Sequence, residues 1–165
     1  MIDFNGTLVD ADSYEDFKDG QTKLFGDVVA GLERLSNKYM VLVSKTPTDL
    51  LEKRAEALGI GKYFSRKVGS LKVDGADLKE MKKRLLKNSK DAPYDNVYFV
   101  GNDPDEINFF NGMGGLSSQR LYSIAVLRGQ KKVDEYERKV AALGTTTAKP
   151  NYTITSLRKL ADIIG

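Results

Sequence analysis

Cysteine, histidine and tryptophan are absent from the 165 residues. Without cysteine there is no disulfide and no thiolate metal site. Without histidine there is no imidazole ligand and no histidine-activated nucleophile. Any catalysis therefore falls to carboxylates, amides, hydroxyls and lysines. A large excess of one charge is also missing: the net charge of +3 is too small to imply nucleic-acid binding, which usually brings a marked local basic excess. No apolar run approaches the roughly 18 residues of a membrane span, and the opening residues Met1 to Asp3 do not form a leader. A cytoplasmic protein with no membrane partner is expected. What the chain does have is 41% hydrophobic and 30% charged residues in a length typical of one domain, enough to bury a core.

Short β-branched apolar runs alternate with longer amphipathic stretches, the pattern of an α/β three-layer sandwich around a mostly parallel, Rossmann-like sheet. Tyr39 to Val43, Asn96 to Val100, Tyr122 to Leu127 and Tyr152 to Thr155 read as strands covered on both faces. Phe25 to Asn37 and Asp49 to Leu58 carry apolar residues at helical spacing. Asp77 to Lys90, Val133 to Leu143 and Ser156 to Ile164 complete the helical series. Thr48 or Asp49 can cap the second helix and Gly59 can end it. Lys67 to Gly75, Asn111 to Ser118 and Gly144 to Lys149 read as softer stretches. The lysines of Asp77 to Lys90 read as a solvated face, because no aromatic residues interleave for base stacking. In a sheet of this kind ligands bind at the carboxyl ends of the strands. The residues there are Asp3 to Thr7, Ser44 to Pro47, Gly101 to Glu106 and a lysine-bearing loop over Lys67 to Lys72.

Those four loops carry a resemblance. DFNGTLVD from Asp3 to Asp10 looks like the first motif of the haloacid dehalogenase superfamily, D-x-D-G-T-L-x-D. VLVSKTP from Val41 to Pro47, with the helix that follows and Tyr63-Phe64, is similar to the second motif. VYFVGNDPDEI from Val97 to Ile107 looks like the fourth, G-D-x-x-x-D-I, and the end from Pro150 resembles the family's closing strand and helix. The resemblance covers nearly the whole chain and is nearest to the phosphoglycolate-phosphatase-like branch. It implies a Mg²⁺-dependent phosphomonoester hydrolase in which Asp3 attacks phosphorus to form an aspartyl-phosphate.

By the same resemblance, Mg²⁺ is held by Asp3, the backbone carbonyl of Asn5 and Asn102, with Asp103 or Glu106 nearby. Gly6, Thr7, Ser44 and Lys45 line the substrate. Lys72, or Lys67 after it, stands where the third motif places a lysine, although that motif's Lys-Pro pair is missing here. Two positions depart from the pattern. Asn5 replaces the aspartate that serves as general acid and base, and an amide exchanges no proton at neutral pH. Proton transfer of that kind contributes typically about 10²–10⁴-fold, so slow turnover or a good leaving group is expected. Asn102 replaces an acid at the metal. Asn5 is open to several accounts: a slow natural enzyme, a noncatalytic binding module, an engineered trapping variant, or a site that deamidates at Asn5-Gly6. Phosphoryl transfer to an acceptor other than water also stays open.

Residues 1–165 read as one core domain, with 9–22 a short acidic flap that leaves no room for the helical cap of many relatives. Such a site takes a phosphorylated substrate, small or macromolecular, or is closed by a second copy of the chain, where Asn111 to Leu116 could reach across. Only Met1 and Ile2 precede Asp3, whereas a strand typically has about five residues; a shortened first strand is expected.

Overall fold

The apolar runs pair side by side, as strands buried on both faces do. The computed structural model describes residues 1–10, 22–70, 95–112 and 120–165. Within them six strands form one sheet in the order β3-β2-β1-β4-β5-β6, and every neighbouring pair is parallel. They are β1 (Ile2–Asp3), β2 (Val41–Val43), β3 (Arg66–Val68), β4 (Asn96–Gly101), β5 (Arg120–Val126) and β6 (Tyr152–Ile154). The helices described are α1 (Val28–Glu33), α2 (Thr48–Ala57), α3 (Pro104–Gly112), α4 (Gln130–Leu143) and α5 (Leu160–Ile164).

Side chains alternate across a strand, and here the two sets enter different cores. Ile2, Leu42, Val100, Ile124 and Val126 pack with Val28 and Leu32 of α1, Leu51 of α2 and Leu160 of α5. Val41, Val43, Phe99 and Ala125 pack on the opposite face with Ile107 and Phe110 of α3 and Tyr136 of α4. The result is the three-layer sandwich expected from the sequence. β1 is as short as the two residues before Asp3 led one to expect, yet it is central: Ile2 is in register with Leu42 on one side and Val100 on the other.

Local expectations needed correction in several places. β3 forms where a lysine-bearing loop was expected. Its charged Arg66-Lys67-Val68 carries little strand signal and owes its pairing to the register with Val41 to Val43. Thr48 does not cap α2: Pro47 holds that position without a side-chain bond, and the Thr48 hydroxyl instead accepts from the Gly69 N–H at 3.1 Å. β2 starts two residues later than expected, and α1 spans only the middle of Phe25 to Asn37. Ser156 caps a single 3₁₀ turn, Leu157–Lys159, ahead of α5 in place of one continuous helix. Asn111 closes α3 rather than opening a loop, and its amide donates to the carbonyls of Thr147 (2.7 Å) and Lys149 (3.1 Å). The helix expected over Asp77 to Lys90, Lys72, the bulk of the 9–22 flap and Leu116 lie outside the described residues.

Candidate active site

Strand β1 delivers Asp3 to the carboxyl edge of the sheet, and the chain then turns tightly. The N–H groups of Leu8 and Val9 donate to the Phe4 carbonyl at 3.0 and 3.2 Å, while fully buried Phe4 anchors the turn in the core. Gly6 adopts φ +70°, and a Cβ there would collide with the Asn102 side-chain amide. Only glycine meets both demands at no steric cost. The Asn5–Gly6 turn and the end of β4 are thereby brought into contact.

Asp3 is 4% exposed, the one charged side chain among the described residues that is fully withdrawn from solvent. Thr7 Oγ1 lies 3.0 Å from Asp3 Oδ2 and 3.2 Å from Asn102 Oδ1, so its single hydrogen serves one of them at a time. Thr7 is itself fully buried. Its hydroxyl orients the carboxylate. Burial pushes the Asp3 carboxyl well above its ordinary pKa, and the charge of Glu106 adds to this. The Thr7 hydroxyl, the Phe4 N–H and the charge of Lys45 pull the other way without prevailing.

Ser44 follows β2 and is 1% exposed. Its Oγ accepts from the Thr46 N–H at 3.1 Å, leaving the hydroxyl hydrogen free to donate. Lys45 comes next and turns across the edge of the sheet: its Nζ is 3.1 Å from both Asp103 Oδ2 and Glu106 Oε1. Burial disfavours the charged ammonium, but Glu106 and Asp103 more than offset this and raise its pKa. Glu106 is also raised, chiefly by burial and by the neighbouring Asp103 and Asp105, against the opposing charge of Lys45. Asp103 turns its second oxygen to the Asp105 N–H at 3.1 Å, satisfying an orphan donor in the first turn of α3.

These groups border a cleft of about 390 Å³ whose wall includes Asp3, Asn5, Gly6, Lys45, Asn102 and Glu106. Ser44 and Thr7 are not part of that wall. Asn5 Oδ1 is shielded from solvent and has no hydrogen-bond partner, a costly state for a buried polar atom. Lys67, the second choice for the third-motif lysine, lies 3.4 Å from Glu56 and is absent from the cleft wall. Lys72 lies outside the described residues.

The oxygen-only donor set is of the hard-cation type. No three acidic side chains converge as a metal cage among the described residues. Mg²⁺ does not need such a cage, because it keeps several waters and takes one or two carboxylates together with substrate phosphate. Asp103 and Glu106 share the Lys45 ammonium, Asp3 feels its charge, and Arg128, Lys132 and Lys139 stand farther along the same wall.

Two functional-looking residues were missed by sequence reading. Arg128, just after β5, stacks 4.0 Å over the Phe25 ring and donates to Asp27 Oδ1 at 2.8 Å and to the Thr7 carbonyl at 3.1 Å. Asp27 Oδ2 accepts from the Ser156 hydroxyl and the Leu157 N–H, both at 2.7 Å. The turn that carries Asp3 is thus tied from behind to α1, β5 and the chain beyond β6. A cation directly following an apolar strand at the ligand edge was the available signal. Beside this node the ends of the expected flap lie together: Asp10 N–H donates to the Lys23 carbonyl and Phe25 N–H to the Leu8 carbonyl, each at 3.1 Å.

No protein-family model matches the sequence. No curated protein matches it either. Solved structures do match. A predicted phosphoglycolate phosphatase from Haemophilus somnus superposes with TM-score 0.64 at 16% identity, covering 89% of this chain and 60% of that one. The L-2-haloacid dehalogenase of Xanthobacter autotrophicus, solved with chloropropionic acid covalently bound, gives TM-score 0.61 at 15% identity over 87% and 61%. A haloacid dehalogenase-like hydrolase of Streptococcus pneumoniae gives 0.63 at 16% over 87% and 61%. The chain therefore spans about three fifths of the length of these structures. Strand order, the site at the carboxyl end of β1 and these superpositions agree: the chain has the haloacid dehalogenase fold.

Proposed function

We propose that this chain is a phosphomonoester hydrolase with Asp3 as nucleophile and Mg²⁺ as cofactor. The observation that supports it is a buried carboxylate at the carboxyl edge of β1, oriented by Thr7, in the wall of a cleft that brings Asn102, Asp103 and Glu106 together with the cations Lys45, Arg128, Lys132 and Lys139. Asp3, the Asn5 carbonyl and the Asn102 side-chain oxygen would hold the ion, with Asp103 and Glu106 close by. When bound, it supplies the charge that lets an ionised carboxylate meet an anionic phosphate.

The remaining work belongs to the chain. Asp3 attacks phosphorus, the ester P–O bond breaks, and an aspartyl-phosphate forms; water then cleaves it to phosphate and regenerates the carboxylate. The free hydrogen of Ser44 is available to a phosphoryl oxygen, provided the substrate reaches past the rim. Asn5 carries no proton acidic enough to donate at neutral pH, so the leaving group must depart as a stable anion. Aryl and acyl phosphates meet that condition. With 9–22 as only a short flap, the cleft would admit a small phosphate ester or one borne on a macromolecule. Closure by a second copy of the chain, a cytoplasmic setting and the reading of 9–22 as a flap belong to this proposal too. Among the described residues no helix is long and apolar enough to cross a membrane.

The second reading is a noncatalytic binding module. It is favoured by Asn5, and by Lys45 holding the two acids of the Gly101 to Glu106 segment. Hydrolysis of an aryl phosphate with Mg²⁺ or with chelator separates the two. Turnover that requires Mg²⁺, disappears in Asp3→Ala and rises in Asn5→Asp is the expected result, and a flat response in all three proteins would leave the binding module.

A further inference from the structure

Resting on the reading just given, we propose that Lys45 is the resident countercharge of this site, holding Asp103 and Glu106 and taking over the role that the family-like reading gives to Lys72. The geometry is specific. Lys45 is the residue after Ser44, so the short parallel β2 fixes its backbone beside β1, where Asp3 ends. Its Nζ is equidistant, at 3.1 Å, from two carboxylates that are three residues apart around the first turn of α3. Glu106 and Asp103 keep only 14% and 23% of their side-chain surface. The pairing is therefore partly desolvated, where an ammonium interacts more strongly than at a free surface.

All three residues lie in the wall of the cleft that Asp3 enters. Lys67, by contrast, is held by Glu56 on α2. A compact ammonium suits this place: it is a point charge on a flexible stem, able to leave one carboxylate for a phosphoryl oxygen while keeping the other. It also competes with a divalent cation for the same two acids. Lys45 thus acts in opposite directions on the two ligands of the site, supporting the anion and weakening the metal.

That opposition is what calorimetric titration would read. Mg²⁺ alone, and inorganic phosphate in the presence of Mg²⁺, are titrated into the native chain, Lys45→Met, Lys45→Arg and Lys72→Ala. In Lys45→Met the expected result is phosphate binding weakened by about tenfold or more and Mg²⁺ binding tightened by a similar factor, each about 1.4 kcal/mol. Lys45→Arg should restore most of the phosphate binding, and any loss of phosphate binding in Lys72→Ala should be smaller than that in Lys45→Met. If both ligands weaken together in Lys45→Met, Lys45 is merely structural and the proposal fails. Loss of phosphate binding in Lys72→Ala with Lys45→Met unaffected would overturn it in favour of Lys72. If the native chain binds no Mg²⁺ but Lys45→Met does, Lys45 is confirmed as the occupant and the Mg²⁺-dependent hydrolase is what falls. Should neither protein bind Mg²⁺, both fall.

Discussion

Two charge clusters stand a few residues apart at the same edge of the sheet, and they are built to opposite standards. Behind the Asp3 turn, Asp27 receives Arg128, the Ser156 hydroxyl and the Leu157 N–H, and Arg128 spends its remaining amine on the Thr7 carbonyl. One carboxylate faces one guanidinium, and only Arg128 Nε lacks a partner. In front of the turn, Asp3, Asp103 and Glu106 share the single ammonium of Lys45, and Asn5 Oδ1 has no partner at all. The direction of the pKa changes follows the bookkeeping: Asp27 is lowered, whereas Asp3 and Glu106 are raised. A matched cluster stabilises the fold; an unmatched one is tolerated where a ligand completes it.

The largest expected effect tests that division directly. Asp3→Asn removes the proposed nucleophile while keeping its shape, so aryl phosphate turnover should fall on the order of 10⁴-fold or more, about 5 kcal/mol of barrier. Its melting temperature should hold or rise, because an uncompensated buried carboxylate has been removed. A large drop in stability would place Asp3 with the structural cluster. Next comes Asn5→Asp, which should raise kcat by about 10²–10⁴-fold and steepen the dependence on pH near neutrality, as a proton donor to the leaving group is restored. Steady-state kinetics on an aryl and an alkyl phosphate check this, with the greater gain expected for the alkyl ester.

The front cluster was legible in the sequence because its members sit within a residue or two of strand ends: Asp3 after an apolar dipeptide, Ser44 and Lys45 after Val41 to Val43, Asn102 and Asp103 after the Asn96 to Gly101 strand. Strand ends are local signals. The rear cluster has such a signal only at Arg128, just after β5; Asp27 meets residues 101 and 129 positions away, and nothing near Asp27 in the chain marks it as a partner. The same reason hid β3, whose charged residues become a strand only because β2 offers a free edge, and it reassigned Thr48 from cap to acceptor. Lys45 fell between the two cases. Its position was readable, but the two carboxylates it holds belong to another segment and appear only when β4 is laid beside β1.

Breaking the rear cluster should cost stability and leave the chemistry nearly intact. Asp27→Asn keeps the volume but leaves Arg128 without its countercharge in a place where the two side chains retain 17% and 15% of their surface. A loss of about 2–3 kcal/mol is expected from urea unfolding, less than for a fully buried pair.

The smallest effect is the pH dependence of the same bond network. Burial alone would raise the Asp27 carboxyl, but Ser156, the Leu157 N–H and Arg128 outweigh it, so the folded state releases this proton more readily than the unfolded chain does. The unfolded state then binds more protons in the acid window, and stability from Asp27 is present above the unfolded value of about 4. It is lost as pH falls through the lower folded value. Urea midpoints measured from pH 6 to pH 3 should therefore decline less in Asp27→Asn than in the native chain, the two curves converging at the acid end. Parallel curves would mean that folding does not lower the Asp27 carboxyl, either through the neutral donors or through Arg128.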